Sequence, residues 1–114
     1  NVFLLGSRTD VLAILKSCQI GILTSRSEGL PVSLLEYGSS ELPVVCTDVG
    51  QCAEVLDQPE FLINHGDVDA FVMALEKLIQ DEQMRKEKAK EFKNRVLSEY
   101  SEESAVRRLI NIYQ

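Results

Sequence analysis

Ile20-Gly21-Ile22-Leu23-Thr24, followed by Ser25-Arg26-Ser27-Glu28-Gly29-Leu30-Pro31-Val32-Ser33-Leu34-Leu35-Glu36, decides the fold. The first five residues form an apolar run of strand length. A strand that is apolar throughout is buried on both faces, which marks a parallel sheet. The run ends in a polar, Gly-containing loop from Ser25 to Gly29. Pro31 suits the first position of a helix, where its missing N–H costs nothing. Leu34, Leu35 and Tyr37 continue that helix. Strand, loop and helix in this order make one βα unit.

The same alternation extends in both directions. Val2-Phe3-Leu4-Leu5 reads as a short strand stopped by Gly6, and Thr9 or Asp10 opens a helix carrying Val11, Leu12, Ile14 and Leu15. Downstream, Pro43-Val44-Val45-Cys46-Thr47 is a strand with its Pro at the tolerated entry position. Asp48-Val49-Gly50 turns into a short helix from Gln51 to Leu56, and Phe61-Leu62-Ile63 is the last strand. The class is α/β, a Rossmann-like parallel sheet with right-handed crossovers and flanking helices. Asp67 caps a helix whose Val68, Phe71, Val72, Leu75, Leu78 and Ile79 form an apolar stripe. A charged helix runs from Asp81 or Glu82 to about Glu99, with Met84, Ala89, Phe92 and Val96 on one side. A third starts at Ser101, its stripe Ala105, Val106, Leu109, Ile110 and Tyr113. One domain is expected over 1–114, with βα units over 1–66 and a helical C-terminal tail over 67–114.

Length and composition agree. The 114 residues, 45% hydrophobic and 26% charged, are enough for one globular core. The net charge of −6 argues against duplex nucleic acid as a partner. No apolar run reaches the roughly 18 residues of a membrane helix. The chain opens at Asn1 without Met, so a segment before it stays open. Cys18, Cys46 and Cys52 have no Cys-x-x-Cys spacing and read as buried or half-buried thiols in a reducing cytoplasm. The single His65 cannot build a histidine metal site, and no metal-ligand cluster is visible. Residues 1–80 carry four basic and eleven acidic side chains, whereas residues 81–114 carry eight basic and seven acidic. The run from Arg85 to Arg95 reads as a solvated helix face.

The chemistry is expected between Thr24 and Glu36. Ligands of open parallel sheets bind outside the carboxyl ends of the strands. The N–H groups of Val32, Ser33 and Leu34, at the helix start, make an anion site suited to a diphosphate. Gly29 permits close backbone approach. Glu36, one turn into the helix, can hold two vicinal hydroxyls. Spacing alone proves little, since Glu91 and Glu99 stand as far apart as Glu28 and Glu36. The context singles out the first pair: a strand end before it, Gly-x-Pro inside it and a helix under its second member. Arg26 reads as mainly solvent-facing, with donor contact the lesser alternative.

With these residues in view, the chain resembles the C-terminal, nucleotide-sugar-binding domain of GT-B fold glycosyltransferases of family 4 (group 1), which are retaining enzymes. The likeness covers nearly the whole chain. It runs through Val2 to Gly6, Ser25…Glu28-Gly29-Leu30-Pro31…Leu35-Glu36, Leu42-Pro43-Val44-Val45, Thr47-Asp48-Val49-Gly50…Glu54, Gly66-Asp67 and a closing helix near Tyr113. It implies that Glu28 is the catalytic-site contact to the donor sugar and that Glu36 binds the ribose. Gly29, Leu30, Pro31, Val32 and Ser33 would hold the diphosphate of a nucleotide-diphospho-sugar, which is substrate; neither a cofactor nor a metal is implied. The chain departs from the family's Ala-Met-Ala at Tyr37-Gly38-Ser39, from its Gly at Glu41, and from its Gly-Gly at Gly50-Gln51.

The resemblance also implies that this is a truncated half of the domain, inactive alone. Two upstream βα units with phosphate-binding Arg and Lys, and an N-terminal acceptor domain, would be its partners in the same enzyme. In the usual strand order 3-2-1-4-5-6, the strand at Val2–Leu5 would be third and would not touch 20–24. A homodimer or a rearranged edge is therefore expected. The family suggests a cytoplasmic enzyme, peripheral at the inner face of a membrane. The alternative from another class is a non-catalytic α/β binding or interaction module. A glycosidase is disfavoured, because nothing holds the two Glu at the roughly 5–9 Å such pairs need.

Overall fold

The computed structural model describes Val2, Gly6 and residues 10–26 and 29–100. The elements are α1 (Val11–Lys16), β1 (Gly21–Leu23), α2 (Val32–Ser39), β2 (Val44–Thr47) and α3 (Cys52–Leu56), then a 3-10 turn (Pro59–Phe61), β3 (Leu62–Ile63), α4 (Val68–Gln80) and α5 (Glu82–Glu99). The strands form a parallel sheet in the order β1-β2-β3. Gly21 pairs with Val44, Leu23 with Cys46, Cys46 with Leu62 and Thr47 with Ile63. The expected α/β class is observed, with a sheet of three described strands. Residues 3–5 of the expected strand at 2–5 and the helix from Ser101 lie outside the described residues, as does any pairing of that first strand.

β2 is the centre of the core. Val44, Val45 and Cys46 are fully buried and Thr47 is 6% exposed, although successive side chains point to opposite faces. Both faces are therefore covered. Leu34 of α2, Val55 of α3, Leu78 of α4 and Phe92 of α5 join the same buried cluster. Burying a side chain the size of Phe92 or Leu78 is worth roughly 1.5–3 kcal/mol.

Several local expectations shift. Pro31 is the N-cap of α2 rather than its first residue, and Phe61 belongs to the 3-10 turn before β3. α1 buries no residue, so its apolar side is only half covered. Cys18, in the connection beyond α1, is exposed, unlike the buried Cys46 and Cys52. α4 packs through Ala74 and Leu78, which leaves Val68, Val72 and Ile79 exposed at the flank of its stripe.

α5 departs furthest from its reading as a solvated face. It lies across the carboxyl-terminal ends of α2, α3 and α4. Arg85 Nη1 donates to Leu78 O and Ile79 O, at 2.6 and 2.7 Å, where α4 ends. Arg95 Nε and Nη2 both donate to Glu54 O in α3, and its Nη1 lies 3.5 Å from Asp57 Oδ2. Cations stabilise helix carboxyl ends, whose carbonyls lack partners. Gln58 Nε2 donates to Lys88 O, and Lys88 Nζ sits 2.6 Å from Glu60 Oε1. The hydrogen bond from Lys88 holds the Glu60 carboxyl below its ordinary value and lifts the Lys88 ammonium above its own.

One of the family departures acquires a cause here, and another is shown to carry strain. A Cβ on Gly38 would overlap Val96 Cγ2 and come within 3.3 Å of Phe92 Cζ, so glycine lets α5 reach the α2 backbone. After α2, Leu42 N donates to Tyr37 O and Glu41 N to Gly38 O. This pair of bonds is the Schellman ending, whose C′ residue is left-handed and usually Gly. Glu41 occupies that place with φ 58°.

Gly38→Ala is therefore expected to lower stability by about 1–3 kcal/mol through overpacking. Glu41→Gly is expected to raise it by up to about 1 kcal/mol, since relief of the left-handed strain outweighs a weak surface pair with Lys93. Urea denaturation midpoints of both variants against the parent check the opposite signs.

Candidate functional site

Because the three strands are parallel, the loops after them open on one rim: 24–31, 48–51 and 64–67. The helices that follow, α2, α3 and α4, all begin there. Three hydrogen bonds tie this rim together. The hydroxyl of the buried Thr47 donates to Ser25 O at 2.8 Å. Asp48 N donates to Ile63 O at 2.8 Å, and Gln51 N to Gly29 O at 3.4 Å. The loop from Ser25 to Gly29 is thus held at both ends by the strand and turn beside it. The sequence placed Thr47 in the family pattern and Gln51 among its departures, but gave neither a role in holding this loop. The one available signal was a hydroxyl at the last position of an otherwise apolar strand.

The helix starts differ in how their amides are capped. Asp67 Oδ1 accepts from Ala70 N at the head of α4, and Asp81 Oδ1 from Met84 N at the head of α5. At α2 the cap is Pro31, which has no side-chain acceptor. Leu34 N and Leu35 N turn back to Pro31 O, at 3.0 and 3.4 Å. Leu34 therefore leaves the expected amide set. Val32 and Ser33, both exposed, keep N–H groups with no partner among the described residues.

Of the residues expected at the site, Gly29 is exposed, Leu30 half-buried and Pro31 buried. Glu36 is half-buried, on the second turn of α2. Glu28 lies outside the described residues. Gly29 has no positive φ, and a Cβ there would meet nothing within 4 Å. Neither backbone conformation nor packing among the described residues asks for glycine at that position. Tyr37, next to Glu36, clamps α2 to β1: its hydroxyl donates to Ile22 O at 3.1 Å and its ring lies against Gly21. Burial, and then the neighbouring Glu36 carboxylate, push the Tyr37 phenol up.

Among the described residues, no group of three or more His, Cys, Asp or Glu could hold a metal ion. Two surface clefts lie at the opposite end of the sheet. One, of about 430 Å³, is lined by residues such as Asp57, Gln58 and Arg95. The other, of about 480 Å³, lies beside Gln19, Pro43 and Arg85. Neither reaches the rim where the helices start, and the convergent backbone donors are on the rim.

Residues 1–81 match the family profile described as glycosyl transferases, group 1. The chain is 28% identical over 115 residues to the UDP-Gal:alpha-D-GlcNAc-diphosphoundecaprenol alpha-1,3-galactosyltransferase of Escherichia coli, covering 99% of this chain and 30% of that protein. It is 38% identical over 55 residues to the N,N'-diacetylbacillosaminyl-diphospho-undecaprenol alpha-1,3-N-acetylgalactosaminyltransferase of Campylobacter jejuni, covering 48% of this chain and 15% of that one. It is also 25% identical over 115 residues to the capsular polysaccharide biosynthesis glycosyltransferase CapM of Staphylococcus aureus, again covering 99% of this chain and 30% of the relative. The chain thus spans less than a third of the length of these relatives.

Thr47→Val keeps the shape of the side chain and removes the donor to Ser25 O. It is expected to cost about 1 kcal/mol and to speed amide hydrogen exchange in the 25–30 loop while β2 stays protected. Exchange measured by NMR or mass spectrometry checks this.

Proposed function

The chain belongs to the group 1 glycosyl transferases, and from that premise we propose that it is the donor-binding part of a retaining GT-B fold enzyme of family 4. It would bind a nucleotide-diphospho-sugar on the rim of the sheet. The diphosphate would accept hydrogen bonds from the Val32 and Ser33 amides at the positive end of the α2 dipole. Glu36 would hold the ribose hydroxyls, and Glu28 the donor sugar. The contribution to catalysis is preorganised electrostatic stabilisation of the leaving diphosphate. The remaining parts of the enzyme would supply the acceptor site and further cations.

One observation carries this reading. The α4 and α5 starts are capped by their own aspartates, while the α2 start faces the rim with a proline cap and two amides that have no partner among the described residues. Gly29 adds support, because the described structure itself makes no demand for glycine there. The departure at Gly38 has a packing cause, so it does not speak for a drifted, non-catalytic module. A peripheral place at the inner face of a membrane is part of the proposal. Two relatives are named for acceptors carried on diphospho-undecaprenol. Among the described residues, no helix is long and apolar enough to cross a membrane.

Titration calorimetry of the full-length polypeptide with UDP- and GDP-sugars tests the reading. Binding of one of them is expected, with Glu36→Gln weakening it at least about tenfold through loss of charge-assisted hydrogen bonds. Glu28→Ala is expected to cut turnover on the native donor. If no nucleotide sugar binds, the non-catalytic module is the correct description.

A further inference from the structure

Glu36 is half-buried on α2 and has no hydrogen bond or ion pair among the described residues. Helix α2 has only eight residues and no side-chain cap at its start. The direction of this carboxylate is therefore set by whatever holds the helix, and the next residue holds it. The Tyr37 ring lies on Gly21 of β1, so close that a Cβ on Gly21 would stand 3.0 Å from Tyr37 Cδ2 and 3.2 Å from its Cγ. The Tyr37 hydroxyl donates to Ile22 O at 3.1 Å. That carbonyl is on the open side of the sheet. β1 is an end strand of the three described, and Gly21 N, one residue back, donates toward β2, to Pro43 O. Successive residues of a strand turn their backbone groups to opposite sides. Ile22 O thus points away from β2, and Tyr37 is its partner among the described residues. The Tyr37 carbonyl in turn accepts from Leu42 N, on the segment that enters β2. The following residue, Gly38, is the seat of Val96 and Phe92 of α5. Neighbours on a helix stand about 100° apart. Contacts with β1 at Tyr37 and with α5 at Gly38 therefore fix the rotation of α2 about its axis, and Glu36 falls on the side opposite α5.

We infer that Tyr37 is a positioning residue for the donor's ribose: its clamp on Gly21 and Ile22 sets where Glu36 presents its carboxylate to the ribose hydroxyls. This rests on the donor-binding reading and adds to it a residue that itself touches no ligand. A carboxylate holds two vicinal hydroxyls only when its oxygens face them, because hydrogen bonds weaken steeply off line. The ring fills the space that Gly21 leaves, and the hydroxyl fixes the level of α2 along β1. Burial, and then the Glu36 carboxylate, push the phenol up, so it remains a donor at neutral pH. The sequence alone did not show this clamp, because Tyr37 and Ile22 stand 15 residues apart and its seat is a glycine inside an apolar run.

Calorimetric titration of the full-length polypeptide with UDP, GDP and their 2′,3′-dideoxy analogues tests the inference. The parent is expected to bind one diphosphate at least about tenfold more tightly than its dideoxy analogue, through charge-assisted hydrogen bonds to Glu36. Tyr37→Ala, which removes ring and hydroxyl, should lose more than about half of that preference while its affinity for the dideoxy analogue stays near the parent's. Tyr37→Phe, which keeps the ring, should fall between. A purely structural role for Tyr37 weakens both ligands together and leaves the preference intact. A preference in Tyr37→Ala that stays at about half of the parent's or more therefore overturns this inference alone. If Tyr37→Ala does not fold, the same criterion applies to Tyr37→Phe. A parent that binds a diphosphate without favouring the ribose form overturns the Glu36 contact and, with it, this inference. A parent that binds neither diphosphate overturns the donor-binding reading and this inference together.

Discussion

Parallel pairing through β2 is the constraint on which the rest of the structure depends. A parallel strand can be reached only by a crossover, so α2 and α3 each return the chain to the end where the previous strand began. All three helices that follow strands therefore start on one rim and end on the other. Donors without partners collect at the first rim and acceptors without partners at the second. The burial of every β2 side chain makes this arrangement expensive to alter, because any slip would expose apolar groups on both faces.

The two rims are resolved by different means. At the acceptor end α5 lays arginines across the terminating carbonyls of α3 and α4. The cations concentrated after residue 80 thus find their use, and the uneven charge along the chain becomes a spatial asymmetry. At the donor end the protein caps α4 internally and leaves the α2 and α3 starts without side-chain caps. An uncapped start at a strand's carboxyl end is where an anion gains most from a helix.

The positions that depart from the family pattern show how such a frame tolerates change. Gly38 and Glu41 sit in one helix ending. Gly38 lies in α2, where α5 presses against the backbone, and at the C′ position a glutamate holds a left-handed φ. Neither change touches the strand ends or the α2 start. Tyr37 adds a clamp to β1 on the same helix, one residue from Glu36.

From the sequence alone, period and punctuation determined the class of fold, the order of elements and the helix cap at Asp67. These are local properties: apolar runs of strand length, stripes at helical spacing and acceptors one turn before free amides. The same locality located the loop and helix start from Ser25 to Glu36. Only the tertiary structure decided that Arg85 and Arg95 cap other helices, that Thr47 and Gln51 hold the loop, and that Cys18 is exposed. It also turned α4 so that Ala74 and Leu78 face the core while Val68 and Ile79 do not. Each of these rests on a contact between residues distant in the chain or on the rotation of a helix about its axis. Spacing along the sequence is blind to both, since a charged or apolar side chain has the same periodicity whether its partner is water or another helix.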